Sequence, residues 1–591
     1  MRHQAPAAYH STMRYLRMLS NSLVAGSMAA ACLVVLFLQL NPALPLFKGA
    51  SWGLIATIWA GYGVNFSALF YALIVAQQLL VAEASSPGWF SVRLLGPFCA
   101  SATVLAAALM WLNLGGLHAA LEDGAVRRMT IGAAAMTVGG SAFVLVTILR
   151  YSIGPRSGRA GGITVLALML LSIALPVATR GPGVAPTLGG RRLAIGAPTT
   201  GEVTSARVVL IDIDGASLDF ITPAAADGRL PNFERILDAG AALHLATLKP
   251  TQPAPVLTAL ATGKLPAHNG VRSAAIYSAT AGPGATLDLL PDYCFAHGLV
   301  TVGLLSETPQ TSAALRAQPI WSILSQSGTP STVIRWPLTW PAQPLLGALV
   351  TDQYHRASDL ALAADEPGYT YPTELALDLD PSLLDEPGAA ASALPGPDYP
   401  AAGPLALDRL YIAIANRLES RGSSPLLALR LEGLDATGHY YLRQAMPRAF
   451  GDVSDEERRK YGQVLEQYYR YVDAVIGGII DGLGPRDLLL VVSPFGLEPL
   501  STAKRLLEHS IGNTALSGSH ERAPDGFLLA YGAPVKPGRL PRGAIVDVTP
   551  TILYFLGVPI GRDMDGYARS DVFAGTFTAE RPITFIPSHG R

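Results

Sequence analysis

The sequence predicts a mainly parallel α/β domain preceded by an α-helical membrane region of about five spans. Three observations carry that prediction. The first third of the 591 residues holds five long, nearly uncharged apolar stretches. From about residue 205 onward, strand-like and helix-like segments alternate to the C-terminus, the order that builds a parallel sheet covered by helices on both faces. Three short apolar runs in that second part stop at polar or acidic residues. Val208-Val209-Leu210-Ile211 ends on Asp212-Ile213-Asp214-Gly215, Leu426–Leu431 runs toward Asp435 and His439, and Leu488–Val492 ends on Ser493-Pro494-Phe495-Gly496. Ligand sites in open α/β sheets form beyond the carboxyl ends of such strands, so the functional site is expected where these three ends meet.

Composition narrows the partners. Half of the residues are hydrophobic and only 15% are charged, and the deficit of charge belongs mostly to the first third. A formal net charge of −1 gives no reason to expect binding to nucleic acid or another polyanion. Of the three cysteines only Cys294 lies outside the N-terminal third, so no disulfide forms within the soluble part and topology must decide the compartment.

The N-terminal tail carries Arg2, Arg14 and Arg17. The apolar stretches follow at roughly 22–44, 52–82, 95–116, 129–149 and 161–179, each near the ~20 residues that a spanning helix needs. The second is longer than required and is expected to tilt, or to bend near Gly61 and Gly63. Because four more spans follow the first, a cleaved signal peptide is not expected. With the tail inside, the cytoplasmic side holds Arg2, Arg14, Arg17, Arg93, Arg150, Arg156 and Arg159 against Lys48, Arg127 and Arg128 on the other. That excess favours a cytoplasmic N-terminus, and five crossings then place everything after Arg180 outside the cytoplasm, in a multi-pass protein of the cell membrane. Anchoring is preferred over transport, because the spans hold no interior Asp, Glu or Lys to mark an ion path.

The expected division is a transmembrane region at 1–180, a Gly/Pro/Thr/Arg-rich linker at 181–203, an α/β domain at 204–575 and a C-terminal tail at 576–591. Within the domain, strands are expected at 207–213, 299–304, 331–335, 426–431, 487–493 and 526–531. Helices are expected at 232–239, 254–262, 405–419, 456–482 and 548–556. Residues 356–404, rich in Ala, Pro, Asp and Gly, read as a surface excursion, part of a lid or insert region around 275–425. No internal repeat is visible.

One spacing carries chemistry. Asp435-Ala436-Thr437-Gly438-His439 sets a carboxylate and an imidazole four residues apart, on one face if a helical turn follows the strand. With His520, in Gly518-Ser519-His520-Glu521, they form a set that suits zinc with an open fourth position. A surface pair without metal fits the same spacing.

The ordered motifs resemble the alkaline phosphatase superfamily, in its type I phosphodiesterase/nucleotide pyrophosphatase branch. The matching residues run from about 205 to 570. They include Asp214-Gly215, Leu230-Pro231-Asn232-Phe233, Thr262–Gly270, Thr339-Trp340-Pro341-Ala342, Asp435…His439, Tyr468–Asp473, Ser519-His520, Asp547–Thr551 and Met564-Asp565-Gly566. The resemblance implies an alkaline-phosphatase-like fold and two zinc ions clamping a phosphoryl group. It implies that Asp435, His439 and His520 hold one metal. The other would take Asp214, an Asp-His pair after a Val-Val-Ser strand, and a nucleophilic Ser or Thr. Here the chain departs from the pattern: the pair is replaced by Pro494-Phe495, and the nucleophile position is Pro253. Neither Thr251 nor Thr258 reaches that point without rebuilding the loop or turning the helix by ~200°. Ser493 reads as a satisfied strand-end hydroxyl, and His268 as a residue that orders its loop.

One zinc site is therefore expected to be retained and the second to be degenerate. The leading expectation is a membrane-anchored phosphoesterase with an altered site, in which a single zinc can lower the pKa of bound water to about 7. The alternative is a pseudoenzyme that binds a phosphoester-containing ligand, or a partner protein whose identity the sequence does not give.

Overall fold

The computed structural model describes residues 7–81, 87–153, 159–183, 206–282, 284–291, 293–357, 368–379, 402–510 and 515–590. Most of the expected linker and of the 356–404 excursion lies outside them. The chain forms two compact units, residues 1–189 with 275–309, and residues 190–274 with 310–591.

The first unit is built on five helices, α1 (Ala7–Leu40), α2 (Gly49–Val81), α3 (Val92–Gly116), α4 (Asp123–Ile153) and α5 (Arg159–Arg180). All five are long and apolar enough to cross a membrane. In α1, 78% of the most apolar window is buried, against 17% in α5, which makes α1 the central helix. It packs on α2, α3 and α5, while α4 closes the bundle between α3 and α5. The outward residues are themselves apolar: Val64, Leu80, Leu112, Val138 and Ile163 are all exposed.

Residues 275–309, which the sequence analysis assigned to the insert, group with these helices instead. They contain a three-stranded antiparallel sheet, Ala275–Ala279 between Thr286–Leu287 and Leu305–Pro309. The strand expected at 299–304 is not there. Gly298–Thr301 is a turn of helix, Gly303 takes φ +75°, and the strand starts at Leu305. A short apolar run bounded by glycines suits either state, and packing against the helices decided it.

The second unit is organised by one mixed sheet of ten strands. In chain order they are β1 (Val208–Ile213), β2 (Ala241–Ala246), β3 (Ser331–Ile334), β4 (Gly347–Val350), β5 (Thr370–Tyr371), β6 (Leu426–Leu431), β7 (Leu488–Phe495), β8 (Asp525–Tyr531), β9 (Gly538–Arg539) and β10 (Gly543–Ala544). The spatial order is β9-β2-β8-β7-β1-β6-β3-β4-β5, with β10 also on β2. The middle run β7-β1-β6-β3-β4 is parallel throughout, and β8 and β5 run against it.

Every residue of β1, β6 and β7 is buried. Val209, Ile211, Leu427, Leu429, Leu489 and Val491, alternate positions of these strands, form one core with five helices. These are α6 (Leu218–Ala226), α7 (Pro231–Ala239), α9 (Ala402–Glu419), α10 (Gly433–Ala445) and α11 (Val464–Asp481). Two further helices, α8 (Pro253–Thr262) and α12 (Val548–Phe555), pack together, and α8 also contacts β7. Strands buried on both faces need no polar alternation, which is why they read as continuous apolar runs. The expected C-terminal tail holds a helix, Gly575–Glu580, and a strand, Phe585–Ile586, that pairs with Ile560–Gly561.

Candidate functional site

The register puts the three strand ends side by side. Asp212 of β1 lies level with Val492 of β7 and with Arg430 of β6. Beyond β1 the chain turns at Gly215, whose φ of +75° is a region that residues with a Cβ avoid. A Cβ there would also fall 2.8 Å from Asp435 Cα. The end of β1 thus abuts the first turn of α10.

Asp435 is the third residue of α10, and His439 follows one turn later on the same face. His439 Nε2 lies 3.4 Å from Asp435 Oδ2, and His520 Nε2 lies 4.0 Å from the same oxygen. The helix N-terminus favours the carboxylate, while two backbone carbonyls fix the imidazoles. His439 Nδ1 is 2.8 Å from Gly518 O, and His520 Nδ1 is 3.0 Å from Thr251 O. A carbonyl only accepts, so Nδ1 is the donor in each ring and Nε2 is the nitrogen left facing Asp435.

His520 arrives on the strand Gly518–Ser519, which pairs with Glu498–Pro499 just after β7. Gly518 fits there because a Cβ would meet Gly438 O at 2.6 Å and His439 Cα at 3.2 Å. Burial opposes the charge on His439, but the Asp435 carboxylate and the Gly518 carbonyl outweigh it and raise the imidazole pKa above its ordinary value. Among the described residues, buried Asp435 Oδ1 has no hydrogen-bond partner. Two oriented imidazoles, a carboxylate with an unused oxygen and metal-compatible spacing of the three ligand atoms make a donor set that fits one zinc.

Asp214 stands apart from this set. Its Oδ2 accepts from Nε of Arg430 at 2.9 Å and from Nη2 of the same guanidinium. Burial pushes the Asp214 pKa up to about 6 against the pull of Arg430, with Asp435 and Glu432 adding to the rise. Arg430 Nη1 reaches Glu432 Oε2 at 3.3 Å, and Asp212 lies 3.9 Å from Arg430 Nε. One oxygen of the carboxylate expected to serve a second metal is therefore engaged by an internal guanidinium, while its buried Oδ1 has no hydrogen-bond partner among the described residues.

The other expected positions resolve plainly. Pro253 is the first residue of α8, and Phe495 is fully buried with its ring 4.9 Å from that of His520. Thr251 offers its carbonyl to His520 but donates its hydroxyl to Leu248 O at 2.8 Å. Thr258 is buried within α8. The Ser493 hydroxyl lies within hydrogen-bond distance of Ala216 O and Phe495 O. His268 pairs with Asp565 at 2.8 Å and takes no part in the cluster.

Sequence reasoning missed the ion network beside the site. Asp408 of α9 accepts from Gly433 N and Glu432 N, which open α10, and from the Tyr468 hydroxyl at 2.8 Å. Its other partner is Arg335, whose guanidinium lies over the Tyr411 ring. A signal did exist: Arg430 is the only charged residue in the strand Leu426–Leu431, and a buried charge requires a partner.

Residues 208–522 match the sequence model of the type I phosphodiesterase/nucleotide pyrophosphatase family. No match to a curated protein is found. Among solved structures the chain is similar to mouse ectonucleotide pyrophosphatase/phosphodiesterase 5, at 12% identity and a TM-score of 0.38, over 62% of this chain and 100% of that one. The inactive variant of that mouse protein in complex with AMP matches with the same identity, coverage and score.

Proposed function

The chain belongs to the type I phosphodiesterase/nucleotide pyrophosphatase family, and from that premise we propose a membrane-anchored phosphoesterase with one zinc site and no protein nucleophile. The α/β domain works outside the cytoplasm on this reading, with the five helices as its multi-pass anchor. The observation that carries the reading is the pair of imidazoles, each held at Nδ1 by a backbone carbonyl so that its Nε2 faces Asp435. Zinc bound by Asp435, His439 and His520 would supply Lewis-acid polarisation of a phosphoryl oxygen.

The chain's own residues do the rest. Gly518 and Thr251 keep both imidazoles in the ligating tautomer. Phe495 excludes water from one side of His520. Arg430 supplies a fixed positive charge against Asp214 where the family pattern has a second metal. With Pro253 at the start of α8 no hydroxyl is offered for covalent transfer, so hydrolysis is weak or altered relative to two-metal members.

A second reading, a pseudoenzyme that binds a phosphoester-containing ligand without turnover, is favoured by the Thr251 hydroxyl being committed to Leu248. Elemental analysis of the purified chain and hydrolysis of an aryl phosphodiester and monoester, beside His439→Ala, separate the two. One zinc per chain with turnover lost in the variant is the expected outcome. One zinc without turnover on either ester favours the binding role, and no zinc overturns the metal assignment.

A further inference from the structure

Residues 293–304 reach far down the side of α2. The contacts of α1 with α2 set the scale: Gly26 meets Ser67, and Gly63 meets Ala30. The two helices are thus antiparallel, and Leu40, the last residue of α1, lies level with about residue 53 of α2. A Cβ on Gly61 would fall 2.9 Å from Leu304 Cδ1 and 3.1 Å from Leu299 Cδ2. Those leucines therefore touch α2 about eight residues, or ~12 Å, below that end of the bundle at 1.5 Å per residue.

The path down and back is pinned at each level. At the bundle end, Asn41 Nδ2 donates to Leu289 O, and Asn41 Oδ1 accepts from Asp288 N and Leu289 N, each at 2.9 Å. Deeper, the Tyr62 hydroxyl donates to Cys294 O at 2.9 Å, and Asn113 Nδ2 of α3 donates to the Tyr293 hydroxyl at 2.7 Å. The chain then returns to pair Leu305 with Ala279.

Two features distinguish this segment from a water-exposed loop. The amides of Ala296 and of residues 298–304 are satisfied internally, by bonds such as Gly298 N to Phe295 O, Val302 N to Gly298 O and Leu304 N to Leu299 O. That is the condition for irregular backbone at membrane depth. Its most exposed large side chains are apolar, Phe295 at 75% and Val302 at 69%, and of the polar side chains exposed beside them His297 stands edge-on to Tyr277 while Thr301 bonds back to His297 O at 3.3 Å. Phe295 is held out by a turn in which Cys294 and Phe295 take φ of 53° and 54°, a region that L-residues avoid. Val64 of α2, three residues from Gly61 along the same side of the helix, is exposed as well.

We propose that residues 293–304 form a re-entrant wedge whose Phe295 and Val302 lie among the lipid acyl chains beside α2. The partner is the leaflet itself, since ~12 Å falls within one half of a ~30 Å hydrocarbon core. The inference rests on the five helices being membrane spans. Nitroxide labels at Phe295→Cys or Val302→Cys, in a Cys294→Ser background of the full chain in phospholipid nanodiscs, test it by collision with oxygen against a water-soluble nickel chelate. Leu112→Cys, on the exposed face of α3, reports the spans themselves. The expected result is oxygen preferred at 295, 302 and 112 alike. Nickel preferred at 295 and 302, with oxygen still preferred at 112, overturns the wedge alone; nickel preferred at all three overturns the membrane reading and the wedge with it.

Discussion

At the scale of single residues, the site depends on groups that never touch a metal. Asp408 holds the first amides of α10, the helix that carries both Asp435 and His439, and it does so while paired to Arg335 in a fully buried position. Replacing it with alanine leaves the buried Arg335 guanidinium only the part-exposed Glu432 and strips the Tyr468 hydroxyl and two amides of their acceptor, which costs about 3–5 kcal/mol. It also frees the start of α10. Asp408→Ala is therefore expected to lower the denaturant midpoint sharply and to weaken zinc binding, whereas Asp227→Ala, at an exposed pair with Arg229, should leave both unchanged. Zinc affinity equal to wild type in folded Asp408→Ala protein would remove Asp408 from the positioning of the site. Arg430 was legible as a buried charge in an apolar strand, but its engagement of Asp214 was not. That pairing is set by the register of β6 on β1, which spacing in sequence does not encode.

At the scale of elements, the short strand Gly518–Ser519 and α10 meet closely enough that only a glycine fits between them. Gly518→Ala should push the strand from the helix and lose the His439 orientation, with zinc binding weakened ~10–100-fold, as for other outer-shell changes. Titration with a chromophoric chelator measures it, and circular dichroism checks that the fold persists. The long elements were legible because their periodicity is strong: α8, α9, β6 and β7 fall within a few residues of expectation, while the helix expected at 456–482 divides into Asp455–Tyr461 and α11. The failures are short. Residues 241–246, Ala-Ala-Leu-His-Leu-Ala, form β2 with little intrinsic β preference, because β8 on one side and β9 and β10 on the other supply the pairing. The run at 299–304 failed in the opposite sense, its apolar residues serving a packed turn.

At the scale of the whole molecule, topology decides where the site works. Single cysteines at Tyr15→Cys and Arg539→Cys, both at exposed positions, can be probed in intact cells with a membrane-impermeant maleimide. On the proposed arrangement, 539 labels directly and 15 labels only after permeabilisation. The opposite pattern would place the α/β domain in the cytoplasm and end the extracytoplasmic assignment.

What the sequence determined by itself was everything local or compositional. Uncharged runs near twenty residues specify apolar helices wherever they lie, and strands buried on both faces announce themselves as Val/Leu/Ile runs. The Asp435/His439 pair follows from helical periodicity alone. The tertiary structure decided whatever depends on contacts between residues far apart in the chain. His520 turns its Nε2 toward Asp435 because Thr251, 269 positions away, accepts its Nδ1 proton. Asp214 Oδ2 is held by Arg430, 216 positions on. Residues 275–309 left the expected insert because Asn41, Tyr62 and Asn113 satisfy them within the helical unit. Each is a pairing of buried polar groups, and such pairing is enforced by the cost of leaving them unmatched once the chain has folded.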